Sequence, residues 1–447
     1  MDIFERIEFG ALCLYGASLC VAWRMGVVCM VLWVLAFVAR RVAHRGEPQC
    51  GAMPAGARWG AWLMAAYFAV YAVSGLYSAN GEETLSVLGK MLPLLVMPVC
   101  ALCGAFRRYE GEHVRAVLYC VAATLSGRFV VRLCVAVGKA IGGAKFTSAF
   151  FSGFDPMHHA YLAMYTLLVV VFVYNELWRH GTEMPRWQRV ALESCGGVML
   201  IYTYLIQSRA GVLCMGALVG CLVLHLIFRA HRRKQGLTVL AVGLVALAAI
   251  VFLPKGGANR LGGTVEEVSE GNHSDVRFEI WGNALGTVEE HLPFGAGVGD
   301  RMDALVANYP VDDTTSRLKP THIYNPHNQY LDTLLATGVP GMALLLALLL
   351  LPVALRLWRR GEGYCFSYLL PFVLIVALSA PFESILQRQM GILFFAFFYL
   401  LFFVPQGNTL SSIPSPEGLA PRPTSLDEDA PTHHSSPDTT QRMEKQG

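Results

Sequence analysis

The chain has 447 residues, of which 54% are hydrophobic and only 15% charged, with a mean hydropathy of +0.46. Soluble domains carry about 25% charged residues, so the composition excludes an ordinary soluble globular protein and indicates a polytopic membrane protein. The formal net charge of +3 says little by itself, and no nucleic-acid partner is expected; the placement of the charge carries the information.

Windows of the length needed to cross a bilayer, about 17–25 apolar residues, predict about twelve helical spans. They fall near 9–22, 25–39, 59–77, 84–104, 114–140, 160–178, 191–207, 212–228, 237–253, 342–357, 365–381 and 392–405. The first two are divided only by Arg24. Lys and Arg gather in every second connector, at 40–45, 107–108, 179–189, 229–234 and 356–360. Such an excess marks the cytoplasmic side. The expected fold is therefore all-α and polytopic over 1–405, with both termini cytoplasmic. The first apolar segment lacks the pattern of a cleavable signal and reads as a retained span. The 12 Cys lie in spans or in a cytoplasmic connector and read as packing residues.

On this topology the long loop 254–340 is external. Within it, NHSDVRFEIWGNALG predicts a helix capped by Ser274 or Asp275, with Arg277, Trp281 and Leu285 on one face by i, i+4, i+8 spacing. PFGAGVGDRMDAL predicts a tight glycine turn, with Asp300 a turn or cap residue, before another short helix. In THIYNPHNQYLDTLLATGVPG, Asn325 reads as an N-cap and Pro326 as the first helical residue. His327 then falls in the first turn, Asn328 on the opposite side, and Gly338 at the helix end. The tail 406–447 is rich in Pro, Ser and Thr and is expected to be disordered in the cytoplasm.

Charged and polar residues stand out where a bilayer makes them costly. Lys90, Arg128, Arg132 and Arg209 belong to spans, and Arg277, His327 and Tyr330 to the long loop; all fall on the predicted outer side. His158 and His159 open a span and read as interfacial packing. Snorkelling or ion pairing is the alternative for Lys90, Arg128 and Arg132, interfacial anchoring for Arg209, and a hydrogen-bonded helix start for His327. Several cations and one histidine suit a pyrophosphate leaving group. Guanidinium matches phosphate oxygens bidentately, fixed donors stabilise the developing charge, and a neutral imidazole can take a proton from an acceptor hydroxyl. No cofactor is called for. No metal site is evident either: there is no His-Glu-x-x-His, no external cysteine cluster and no Asp-x-Asp, and Asp312 and Asp313 are adjacent rather than alternating.

SRAG after a span, the VRFEIWGNAL helix, PFGAGVG and HNQYLDTLLATG, in that order and on one predicted side of the membrane, resemble the O-antigen ligase and polymerase family. The resemblance covers roughly 207–341 and implies a GT-C-like glycosyltransferase of the bacterial inner membrane. Such an enzyme moves a glycan from undecaprenyl pyrophosphate to an acceptor at the periplasmic face. It implies functional roles for Arg209, Arg277 and His327. Lys90 in GKMLPLLVMP resembles a further family position, and Arg128, Arg132, Tyr330 and Asn328 are substrate-binding candidates. The expected acceptor is lipid A-core, as for a ligase; a polymerase or a protein O-oligosaccharyltransferase of the same family is the alternative. A secondary transporter is the rival from another class, but transporters bind near the midplane between repeats, whereas here one external loop dominates.

Overall fold

The structure is a computed structural model of the chain, and it describes residues 2–45, 53–143, 158–206, 208–229, 233–252, 276–310, 318, 324–359 and 366–404. The expected cap at Ser274 or Asp275, the pair Asp312 and Asp313, the first part of the long loop and the tail 406–447 lie outside these residues. Among the described residues the regular structure is entirely helical. In chain order the helices are α1 (Ile3–Leu19), α2 (Trp23–Ala43), α3 (Ala55–Ser74), α4 (Gly81–Met91), α5 (Pro93–Leu102), α6 (Gly111–Ile141), α7 (His159–His180), α8 (Arg186–Ile206), α9 (Arg209–Leu224) and α10 (Arg233–Phe252). They continue with α11 (Val276–Glu290), α12 (Arg301–Ala307), α13 (Gln329–Arg359), α14 (Phe366–Ser379) and α15 (Gln389–Phe403). The predicted apolar windows fall on these helices, except that the window 84–104 runs across two, α4 and α5. Seven described segments are long and apolar enough to cross a membrane by length and composition, and two apolar helices, α14 and α15, are shorter.

Helix α15 is apolar all round, and every residue from Met390 to Phe403 is buried, as a helix without a polar face requires. It packs against α2, α3, α5 and α14. Glycines allow the closest approaches: a Cβ on Gly60 would collide with the Phe403 ring. Helices α1 and α2 are separate, and the break is not made by Arg24. It lies at Cys20–Ala22, where Arg128 of α6 donates to the carbonyls of Cys20 (2.8 Å) and Val21 (2.7 Å). A helix end leaves carbonyls without intrahelical partners, and this guanidinium supplies two.

Buried charges at the opposite end of the bundle are paired, as the low dielectric demands. Arg40 bonds Glu8, which also accepts from Tyr109 at 3.1 Å. Arg115 holds the fully buried Glu176 at 2.7 Å.

Helices of the long loop have their own core. Ile280, Ala284 and Val288 of α11 pack with Leu305 of α12 and with Leu331 and Leu335 of α13. Leu285 is exposed and Trp281 lies at the edge of this stripe. Helix α13 is bent at Gly338, whose φ of 61° and ψ of −147° are non-helical, so the predicted helix end is real. The PFGAGVG turn lies against this bend. Val339 N–H donates to Pro293 O and Ala296 N–H to Leu335 O, each at 2.8 Å. Gly295, at φ 79°, approaches Gly338 so closely that a Cβ would stand 2.7 Å from its nitrogen. Asp300 closes the turn by accepting from the backbone N–H groups of Ala79 (2.6 Å) and Asn80 (2.7 Å).

Candidate active site

His327 does not lie in a helix. It precedes α13 with φ 47°, one of two non-glycine residues at positive φ among those described. Its conformation is held by Asn325, whose Oδ1 accepts from His327 N–H at 2.7 Å and from Ser384 Oγ at 3.0 Å. Asn325 Nδ2 donates to Gln387 Oε1 at 2.7 Å. An Asn side chain that bonds backbone two residues on forms a turn of its own, and here it also ties that turn to the connector before α15. The helix cap is Asn328, not Asn325: Asn328 Oδ1 accepts from the N–H groups of Tyr330 (3.0 Å) and Leu331 (3.2 Å). Gln329 then clamps α13 to the same connector. Its N–H donates to Ala380 O at 2.7 Å, and its Oε1 accepts from Leu386 N–H at 2.6 Å. Tyr330 Oη donates to Ala377 O at 3.1 Å. Thus Asn328, Gln329 and Tyr330 of the HNQY motif spend polar groups on positioning the turn that carries the imidazole.

That turn places His327 against Glu383. His327 Nδ1 lies 3.4 Å and His158 Nδ1 3.0 Å from the same carboxylate oxygen, Oε2. The two imidazoles stack, with centroids 6.2 Å apart and planes at 21°. Arg388 Nε stands 3.9 Å from Glu383 Oε1, and Tyr161 Oη donates to Ser384 O at 3.2 Å. The Glu383 side chain is only 1% exposed, whereas those of His327 and His158 are 27% and 34% exposed, so each imidazole keeps an accessible edge. Burial opposes ionisation of Glu383, but His327, His158 and Arg388 outweigh it and hold the carboxyl below its usual range. Burial lowers the pKa of His158; Glu383 opposes the shift, while His327, Arg388 and Arg277 reinforce it. In both rings Nδ1 faces the carboxylate, and Nε2 is the nitrogen turned away from it.

Glu383 and Arg388 were not singled out in the sequence, and His158 was assigned to packing. The available signal was topological: PFESILQRQ is the last external connector on the predicted alternation, and it carries a carboxylate between two apolar segments. The other predicted residues divide. Arg277 is close enough to act electrostatically on His158. Trp281, one turn further, donates its indole N–H to Pro326 O at 2.7 Å, so α11 braces the His327 turn. Arg209 opens α9 after the Ser208 cap. Gly211 packs on Ala163, in the first turns of α7, which puts the start of α9 beside the helix that follows His158. Lys90 is exposed in the last turn of α4, a helix that touches the 385–387 turn. Arg128 and Arg132 are buried in α6; Arg128 is the carbonyl ligand of α1 described above, and Tyr202 is within electrostatic reach of both.

The N-termini of α7, α13 and α15 converge on this cluster, at His158, Gln329 and Arg388. Helix N-termini carry partial positive charge and favour anions. With Arg277 and Arg388 nearby, the arrangement offers an accessible imidazole base backed by a buried carboxylate, in surroundings suited to phosphate.

The architecture and this cluster define a class: an all-helical membrane protein with a histidine–carboxylate centre at one end of its bundle. Residues 196–346 match the family described as O-Antigen ligase, which supports the O-antigen ligase and polymerase family for this chain, as its motifs indicated. The match covers about a third of the sequence and includes Arg209, Arg277 and His327. No curated protein matches the chain.

Proposed function

We propose that the chain is an O-antigen ligase-like glycosyltransferase that moves a glycan from undecaprenyl pyrophosphate to lipid A-core at the periplasmic face of the inner membrane. The observation that carries this reading is His327 held at a buried carboxylate, within a segment that matches the family. In the proposed reaction the acceptor hydroxyl gives its proton to His327 Nε2 as its oxygen attacks the anomeric carbon. The bond from that carbon to the pyrophosphate oxygen breaks, and the electron pair leaves on the lipid pyrophosphate. Glu383 orients His327 and stabilises the imidazolium that forms, a division of labour general to histidine–carboxylate pairs. Arg209, Arg277 and Lys90 stabilise the pyrophosphate charge, assisted by the helix N-termini. No step requires a metal ion.

The test is reconstitution. Purified protein is given undecaprenyl-pyrophosphate glycan with lipid A-core, with a second glycan-loaded carrier, or with a Ser/Thr peptide. Glycan on lipid A-core supports the ligase reading. Chain growth on the carrier identifies a polymerase, and glycopeptide a protein transferase. Absence of transfer to all three, under conditions in which the donor binds, overturns the proposal.

A further inference from the structure

Arg388 has no part in the reaction above. It stands where PFESILQRQ enters α15, with extended backbone at φ −104° and ψ 137°. Its carbonyl already accepts from the N–H groups of Gly391 (3.0 Å) and Ile392 (3.1 Å). The preceding Gln387 is gripped by Asn325 at 2.7 Å, and a Cβ on Gly391 would collide with the Ile385 carbonyl. The backbone is thus fixed on both sides of Arg388, by the turn that carries His327 and by a helix buried along its length.

The side chain is held less firmly. It is 52% exposed, and its Nε stands 3.9 Å from Glu383 Oε1, well beyond the roughly 2.7–2.9 Å of a charge-assisted hydrogen bond. The guanidinium makes no hydrogen bond among the described residues, and Glu383 is its one ion-pair partner there. That carboxylate is shared, since its other oxygen, Oε2, faces both imidazoles. Arginine and carboxylate often pair fork to fork; here the contact is by Nε alone, which leaves the two terminal nitrogens for a further partner. An arginine at a membrane surface commonly snorkels to lipid headgroups. Helix α15 gives Arg388 no such role, because every residue from Met390 to Phe403 is buried and the helix has no lipid-facing side. The exposed half of Arg388 opens instead on the end of the bundle where the histidine cluster lies.

We propose, on the transferase reading above, that Arg388 is a donor-binding residue whose guanidinium fork takes two oxygens of the pyrophosphate, on the phosphate nearest the transferred sugar. Glu383 fixes the spacing: one of its oxygens lies 3.4 Å from His327 Nδ1 and the other 3.9 Å from Arg388 Nε. The base and the guanidinium are therefore separated by the width of one carboxylate, and the sugar–phosphate bond that breaks has a group at each end. The planar fork matches phosphate oxygens bidentately, and the N-terminus of α15 adds partial positive charge on the same side. Arg388 lies outside the matched segment 196–346, so it adds to the arginines within that segment.

The full chain in nanodiscs is titrated with undecaprenyl pyrophosphate that carries no glycan, and with uncharged undecaprenol as the reference. Transfer is measured separately at saturating glycan donor. Arg388→Gln should weaken undecaprenyl pyrophosphate binding by about 10–100-fold, the range that hydrogen bonds to a charged group provide, and leave undecaprenol binding unchanged. Arg388→Lys keeps the charge beside Glu383, and with it the ion pair, but loses the fork, so it should recover only part of the affinity. The Lys variant also carries the test if the Gln variant does not accumulate. Unchanged affinity in Arg388→Gln overturns the proposal: slowed transfer would then show that Arg388 acts only through Glu383, and normal transfer that it is an anchor. Full affinity in Arg388→Lys overturns the bidentate contact. Wild-type protein that binds undecaprenyl pyrophosphate no better than undecaprenol overturns the transferase reading itself, and the role of Arg388 with it.

Discussion

At the scale of single residues, the decisive contrast is between His327 and its carboxylate. His327→Ala is expected to slow glycan transfer by about 10²–10⁴-fold, the contribution of a positioned acid–base group, with donor binding retained. His327→Gln should be no better, since an amide cannot accept the proton. Glu383→Gln keeps the shape and removes the charge; its loss should approach about 10⁴-fold at most, the effect of the equivalent change at a triad histidine. Single-turnover transfer at saturating donor across a pH series separates these roles. Wild type should lose rate on acidification as the imidazole protonates. That limb should be absent in His327→Ala. In Glu383→Gln transfer should slow while donor binding is retained; unchanged transfer would mean that Glu383 only packs. The arginines make a second prediction: Arg209→Lys and Arg277→Lys retain charge but lose the planar fork, so each should lose most activity while protein accumulation is unchanged. Near-normal turnover in both variants would identify them as anchors.

At the scale of elements, α13 follows the turn that presents His327, and its bend is the vulnerable point. Gly338→Ala forces a side chain into a glycine conformation, at a cost of about 1–3 kcal/mol, and drives its Cβ toward the Pro293 carbonyl. Thermal unfolding in detergent should show a lower Tm; an unchanged Tm would mean that the bend relaxes freely. Much of this element was legible in sequence, because Gly338 follows a helical pattern and precedes Val339-Pro340. The start of α13 was less so. Asn325 and Asn328 both have cap chemistry, and only the connector before α15 decides that Asn325 is recruited by Ser384 and Gln387, leaving the cap to Asn328. Similarly, local spacing put Arg277, Trp281 and Leu285 of α11 on one face but did not say which face is buried, because the partner surface, Leu331 and Leu335, is distant in sequence.

At the scale of the whole molecule, the apolar windows found the helices because hydrophobic length is a local property. The centre was only half visible. Its arginines and His327 sit in recognisable strings, whereas Glu383 stands alone in a short connector and meets His158 only through tertiary structure. Labelling tests the orientation. In a Cys-depleted variant, Asn308→Cys should react with an impermeant thiol reagent in intact spheroplasts and Gln235→Cys should not; the reverse pattern would invert the topology. Acid stability reports on the assembled centre. The folded-state pKa of His158 lies below its ordinary 6.5, and that of Glu383 below 4.5. In both cases the unfolded chain takes up the proton first, so stability is lost as pH falls. The loss should begin below 6.5 for His158 and below 4.5 for Glu383. In Glu383→Gln the lower step of the Tm profile should disappear; its persistence would assign it to other carboxylates.

The carboxylate and one imidazole of the centre, Glu383 and His158, lie outside the matched segment 196–346. That segment is therefore not a transplantable cassette. Moved into another membrane scaffold, it would bring both arginines and His327 but neither the buried negative charge nor the connector that Asn325 and Gln329 grip. The same partition suits a split protein. A chain cut in the connector between α14 and α15, with its halves expressed together, should regain transfer only when the final helix docks in the core, which makes activity a direct readout of assembly.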